Sequence, residues 1–132
     1  MKATEEAAMK DQRLLIVENN PLVAAAIEKA GERLQMRADV ATDGWEAIEM
    51  LRNETYRAIV INTDLPRHSG YGVLSYLREE NGNRLENVIL TTSSDRAVVR
   101  QRVAEPLQII ATTELVDEIE VAMNGMFVVP EA

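Results

Sequence analysis

Apolar residues along this chain gather in short continuous runs, separated by stretches in which they recur at helical spacing. Leu14-Leu15-Ile16-Val17, Ala58-Ile59-Val60-Ile61, Val88-Ile89-Leu90 and residues 107–111 are the runs. A strand exposed on one face alternates apolar with polar, so a continuous run predicts a strand buried on both faces. Residues 36–41 predict a further strand, with Asp39 an awkward member. Between the runs, Val23, Ala26, Ile27 and Ala30, then Ala47, Ile48 and Leu51, then Val73, Leu74 and Leu77 recur three and four apart. That spacing predicts helices over residues 22–34, 45–52 and 71–80, with two more over 96–104 and 115–123. Stop and start signals agree. Asn20 before Pro21 reads as an N-cap with proline at the first helical position. Asp95 caps the fourth helix, and Asn81-Gly82-Asn83 ends the third. Strand and helix alternate five times, which predicts a parallel sheet covered by helices on both faces.

Composition narrows the function classes. The chain has 132 residues, of which 46% are hydrophobic, enough for one domain with a substantial core. It is divided into a polar N-terminal extension, 1–12, a folded domain, 13–125, and an apolar C-terminal tail, 126–132. There is no cysteine, hence neither a disulfide framework nor a thiolate metal site. No segment approaches the roughly 18 consecutive apolar residues of a membrane span, and the polar start lacks the apolar core of a signal peptide. A cytoplasmic location is expected, with no membrane contact. The net charge of −8 opposes direct nucleic-acid binding, which needs clustered Lys and Arg. Arg96, Arg100 and Arg102 read as a solvated helix face, and no lysine follows Lys29.

In an open parallel sheet, ligands bind beyond the carboxyl ends of the strands. Those ends carry Glu18-Asn19-Asn20, Asn62-Thr63-Asp64, Thr91-Thr92-Ser93 and Thr112-Thr113. The lone histidine, His68, reads as a solvated loop residue. Trp45, in a first helical turn, is expected to fold over neighbouring apolar surface.

Several segments, in this order and spacing, resemble the receiver domain of two-component response regulators. They are Leu14-Leu15-Ile16-Val17-Glu18-Asn19-Asn20-Pro21, Thr42-Asp43-Gly44-Trp45-Glu46-Ala47-Ile48, Ile61-Asn62-Thr63-Asp64-Leu65-Pro66 with Ser69-Gly70, and Val88-Ile89-Leu90-Thr91-Thr92. The resemblance implies a flavodoxin-like (βα)5 three-layer sandwich with a five-stranded parallel sheet, and a signalling module rather than an enzyme. Active members of the family carry an acidic pair after the first strand, a phosphoacceptor aspartate after the third, a Ser or Thr after the fourth and a lysine after the fifth. Here the acidic pair falls on Glu18 and Asn19, the acceptor on Asn62, the hydroxyl on Thr92 (or Thr91 one residue earlier) and the lysine on Thr112. The aromatic switch position of the fifth strand falls on Ile109.

A carboxylate forms an acyl phosphate, and a neutral carboxamide does not do so directly. With Glu18 the one weak metal candidate, Mg²⁺ binding is expected to be weak or absent and no cofactor is implied. The resemblance therefore implies an atypical, pseudo-receiver module acting by protein–protein contact. Its expected partners are a histidine kinase, an output protein or another receiver, with a homodimer also in view. The family's frequent contact face would present Arg100, Arg102, Gln108, Ile109, Glu118 and Val121. Two alternatives stand beside this reading. One is a working acceptor at Asp64; the other is a small-molecule sensor built around Asn19, Asn62 and Thr92.

Overall fold

The continuous apolar runs become the middle of one sheet. The computed structural model describes residues 12–127. Its elements are β1 (Arg13–Val17), α1 (Pro21–Arg33), β2 (Arg37–Ala41), α2 (Gly44–Asn53), β3 (Ala58–Asn62), α3 (Gly70–Glu79), β4 (Val88–Thr92), α4 (Arg96–Arg102), β5 (Gln108–Ala111), a 3₁₀ turn (Thr112–Glu114) and α5 (Leu115–Phe127). The strands pair in parallel, as expected from the alternation, in the order β2-β1-β3-β4-β5, the flavodoxin-like arrangement that the resemblance implies.

Two apolar layers sandwich the sheet. Leu14, Ile16, Val60, Ile89 and Ile110 pack against Ala24, Ile27, Ile119 and Met123 of α1 and α5. Leu15, Val17, Ile59, Ile61 and Leu90 pack against Ala47, Leu51, Val73, Leu74, Leu77 and Val99 of α2, α3 and α4. Side chains alternate across a strand, so β1, β3 and β4 need apolar residues at every position, as the sequence pattern implied. β2 is an edge strand and only half-buried. That is why it carries Asp39, which accepts a hydrogen bond from the buried Tyr56 hydroxyl at 2.8 Å.

The N-caps are the residues read from sequence. Asn20 Oδ1 accepts from the Leu22 amide at 3.0 Å, and Asp95 Oδ1 from the Ala97 amide at 2.8 Å. Two helix ends differ from the predicted ones. α4 stops at Arg102, because Val103 turns extended to bury its side chain and Pro106 disfavours helix at Glu105. α5 continues through Phe127, past the Gly125 boundary expected of the domain. Met126, assigned to the tail, packs on the α1–α5 side of the core. The N-terminal extension up to residue 11 and the tail from residue 128 lie outside the described residues. Among the described residues no helix is long and apolar enough to cross a membrane.

Candidate functional site at the carboxyl ends of the strands

β1 and β3 are neighbours, and this brings together two residues 44 positions apart. Glu18, 2% exposed, follows β1, and Asn62 closes β3. The Asn62 amide nitrogen donates to both Glu18 carboxylate oxygens, at 3.1 and 3.0 Å. The backbone N–H of Asn20 donates to one of the same oxygens at 3.0 Å. A buried carboxylate is costly unless hydrogen-bonded, and here three donor contacts serve it. The Asn62 carbonyl oxygen accepts from the Asp64 backbone N–H at 2.8 Å, so both ends of the carboxamide are engaged. Asp64 itself turns toward the end of β4. Its Oδ2 accepts from the Ser93 hydroxyl at 2.9 Å, the Ser93 amide at 3.1 Å and, at 3.4 Å, the Thr92 hydroxyl.

A second set of contacts ties the β2–α2 loop to the β3–α3 loop. Asp43, buried at the start of α2, accepts from the Glu46 amide at 2.9 Å and pairs with the Arg67 guanidinium. The Glu46 backbone hydrogen bond, followed by Arg67, holds the Asp43 carboxyl below the usual carboxylate range. Arg67 has a φ of 64°, the left-handed region that non-glycine residues enter at a cost. Next to it, His68 stacks on Trp45 with ring centroids 4.2 Å apart and planes 15° from parallel. Trp45 remains 59% exposed, so the indole covers an imidazole and not, as expected, an apolar patch. His68 is only half-exposed. Glycine is required at two points of this assembly. A Cβ on Gly44 would clash with the His68 carbonyl, and one on Gly70 with the Asn62 carbonyl.

The loops and strand ends so arranged carry the same segments in which the likeness was read, and comparison with known proteins decides it. Residues 14–123 match the response regulator receiver domain. The chain belongs to this family. Solved structures with the same fold include the bacteriophytochrome response regulator AtBRR, 22% identical, with a TM-score of 0.73 over 91% of this chain and 96% of that one. The receiver domain of a signal transduction histidine kinase from Syntrophus aciditrophicus is 23% identical, with a TM-score of 0.67 over 92% and 96% of the two chains. TrrA from Thermotoga maritima, solved in complex with Mg²⁺-BeF, is 18% identical, with a TM-score of 0.71 over 88% and 99%. No curated protein sequence matches the chain. The protein is thus a receiver domain of two-component signalling, and receiver domains interact with histidine kinases and other signalling proteins.

The carboxylates at the strand ends of this receiver domain are engaged by hydrogen bonds within the chain. Mg²⁺ takes hard oxygens, usually one or two carboxylates with waters and phosphate. Asn62 contributes a neutral carboxamide, Glu18 has both oxygens occupied by N–H donors, and Asp64 is turned to Ser93. Among the described residues no group of three or more His, Asp or Glu converges on a point.

The other residues singled out from sequence are only partly gathered here. Asn19 is exposed beside Glu18. Thr92 is fully buried, with its hydroxyl accepting from the Ser94 amide at 3.0 Å. Thr91, one residue earlier, is the strand partner of Asn62, and its buried hydroxyl has no hydrogen-bond partner among the described residues. Thr112 opens the 3₁₀ turn after β5, two strands along the sheet from Asn62.

On the α4–β5–α5 side, Gln108 is exposed and Val121 is 74% exposed. Glu118 lies 3.9 Å from Arg96. Ile109 is only 8% exposed and packs in the core layer of α2, α3 and α4. Arg100 and Arg102 are exposed, and each also makes a contact within the chain. Arg100 donates to the carbonyls of Glu105 and Leu107 at 3.0 and 2.5 Å, and Arg102 lies 3.7 Å from the Tyr71 ring centroid. Sequence reasoning missed the Asp43–Arg67 pair, the Asp64–Ser93 contacts and the Arg102–Tyr71 stack. Each joins residues on different loops or helices, and no local pattern signals them.

Proposed function

We propose that this receiver domain is atypical. It works as a signalling module in the cytoplasm by protein–protein contact, takes no phosphoryl group at Asn62, needs no Mg²⁺ and catalyses no reaction. One observation carries the reading: the residue in the acceptor place is a carboxamide whose nitrogen donates to both oxygens of Glu18. A phosphoacceptor must present a free nucleophilic oxygen. Here the one carbonyl oxygen of Asn62 is bound to the Asp64 N–H, and the nitrogen is bound to Glu18. The amide also gives both Glu18 carboxylate oxygens a hydrogen-bond donor. The partners of such a module are a histidine kinase, an output protein, another receiver or a second copy of the chain.

Intact-mass measurement after incubation with phosphoramidate and Mg²⁺ tests this on wild type and Asn62→Asp. Wild type is expected to show no added phosphoryl mass. A gain of one phosphoryl group in wild type would overturn the reading and direct attention to Asp64, the carboxylate two residues after Asn62. A gain confined to the variant would show that the single amide is what blocks the chemistry.

A further inference from the structure

The α4 helix is held in place by polar contacts rather than by burial. It has seven residues, of which only Val99 is buried, and Val98 is 52% exposed. One buried aliphatic side chain is little to fix a helix of two turns, so restraints at its ends decide where it lies. At its C-terminal end Arg102 stacks on Tyr71 of α3, and Arg100 binds the carbonyls of Glu105 and Leu107. Arg78 of α3 pairs with Glu105 through two contacts of 2.6 and 2.8 Å.

At the N-terminal end, Arg96 pairs with Glu114 at 3.1 Å and lies 3.9 Å from Glu118, and the loop before the helix is held by the Asp64 carboxylate. Its Oδ2 gathers the Ser93 amide, the Ser93 hydroxyl and the Thr92 hydroxyl, all from the loop that leads into α4. The connection continues in both directions. Upstream, the Asp64 N–H binds the Asn62 carbonyl oxygen; downstream, Thr92 Oγ1 accepts from Ser94, and Asp95 then caps the helix.

We infer that Asp64 is a built-in latch, which holds the β4–α4 loop and the start of α4 in one position through an internal carboxylate, without phosphate or metal. The latch goes beyond the absence of phosphorylation at Asn62, since its carboxylate contacts run from Asp64 to Thr92 and Ser93. A charge-assisted hydrogen bond to a carboxylate is roughly twice as strong as a neutral one, so removing this acceptor frees the loop, whereas removing one hydroxyl donor loosens it.

Hydrogen exchange read by mass spectrometry on the whole chain tests the inference, in wild type, Asp64→Ala and Ser93→Ala. Amides of residues 93–99 are expected to exchange at least tenfold faster in D64A and by a smaller factor in S93A. Those of β1, β3 and α5 are expected to keep wild-type rates. Wild-type exchange over 93–99 in D64A would overturn the latch, and so would an equal acceleration in every element, which would make Asp64 a general stabiliser. Should D64A fail to fold, S93A decides: acceleration confined to 93–99 supports the latch and none overturns it. Phosphoryl transfer is read separately, by intact mass, so failure of the two conclusions is distinguishable.

Discussion

A single amide sets the character of this site. Asn62 and Glu18 form a neutral-to-anionic hydrogen-bonded pair in which donor and acceptor match. Asn62→Asp changes no more than an NH₂ for an oxygen, yet it places two carboxylates about a hydrogen bond apart and removes two of the three donor contacts that serve buried Glu18, leaving the Asn20 amide. The expected cost is about 1–3 kcal/mol, that of leaving a buried polar group unpaired. The same change creates the acidic pair that a divalent cation favours, so Mg²⁺ should restore part of the loss by mass action. Urea unfolding with and without Mg²⁺ checks this. The wild-type midpoint is expected not to move with Mg²⁺, whereas that of Asn62→Asp falls in its absence and recovers in its presence. A wild-type midpoint that rises with Mg²⁺ would contradict the metal-independent reading. The identity of residue 62 was legible in the sequence. Its bond to Glu18 was not, because an asparagine at a strand end bonds its own backbone as readily as a distant carboxylate.

The helices differ in what anchors them. α3 lays Val73, Leu74 and Leu77 into the core, each 1% exposed or less. Truncating Leu74 to Ala is therefore expected to cost about 2–5 kcal/mol. Val98→Ala on α4, at a half-exposed position, should stay within about 0.5 kcal/mol. Chemical denaturation of both variants checks the contrast, and a large loss from Val98→Ala would show that α4 is held by packing after all. Element identity was largely readable from spacing, since periodicity reports which positions face apolar surface. The ends were less so. Val103 and Pro106 end α4 earlier than periodicity implied, and α5 runs on past Gly125 because Met126 still finds apolar surface on the α1–α5 side.

Across the whole molecule, acidic residues outnumber basic ones, and specific pairs decide which carboxylates matter to stability. The Asp43 carboxyl is held below its ordinary value, first by the Glu46 amide and then by Arg67; that of Glu105 is held down first by Arg78. A carboxyl whose pKa is depressed in the folded state contributes stability that is present above its unfolded pKa and lost as pH falls through its folded one. Stability should therefore hold at neutral pH and decline below the ordinary carboxylate range of about 4. Asp43→Asn should be less stable at neutral pH and lose less on acidification, as read from urea midpoints between neutral and acid conditions. An undiminished acid dependence in that variant would remove Asp43 from the explanation.

The sequence by itself determined the five strands, the helices between them, the parallel sheet buried on both faces and a carboxamide at the end of the third strand. All of these follow from local periodicity, capping and residue type, which act over a few positions. The tertiary structure alone decided that Asn62 bonds Glu18, that Asp64 reaches Ser93, that Arg67 returns to Asp43 and that Ile109 faces inward. These contacts depend on the order β2-β1-β3-β4-β5 and on loops meeting across it, and pairings set by strand neighbourhood leave no mark on the spacing of residues along the chain.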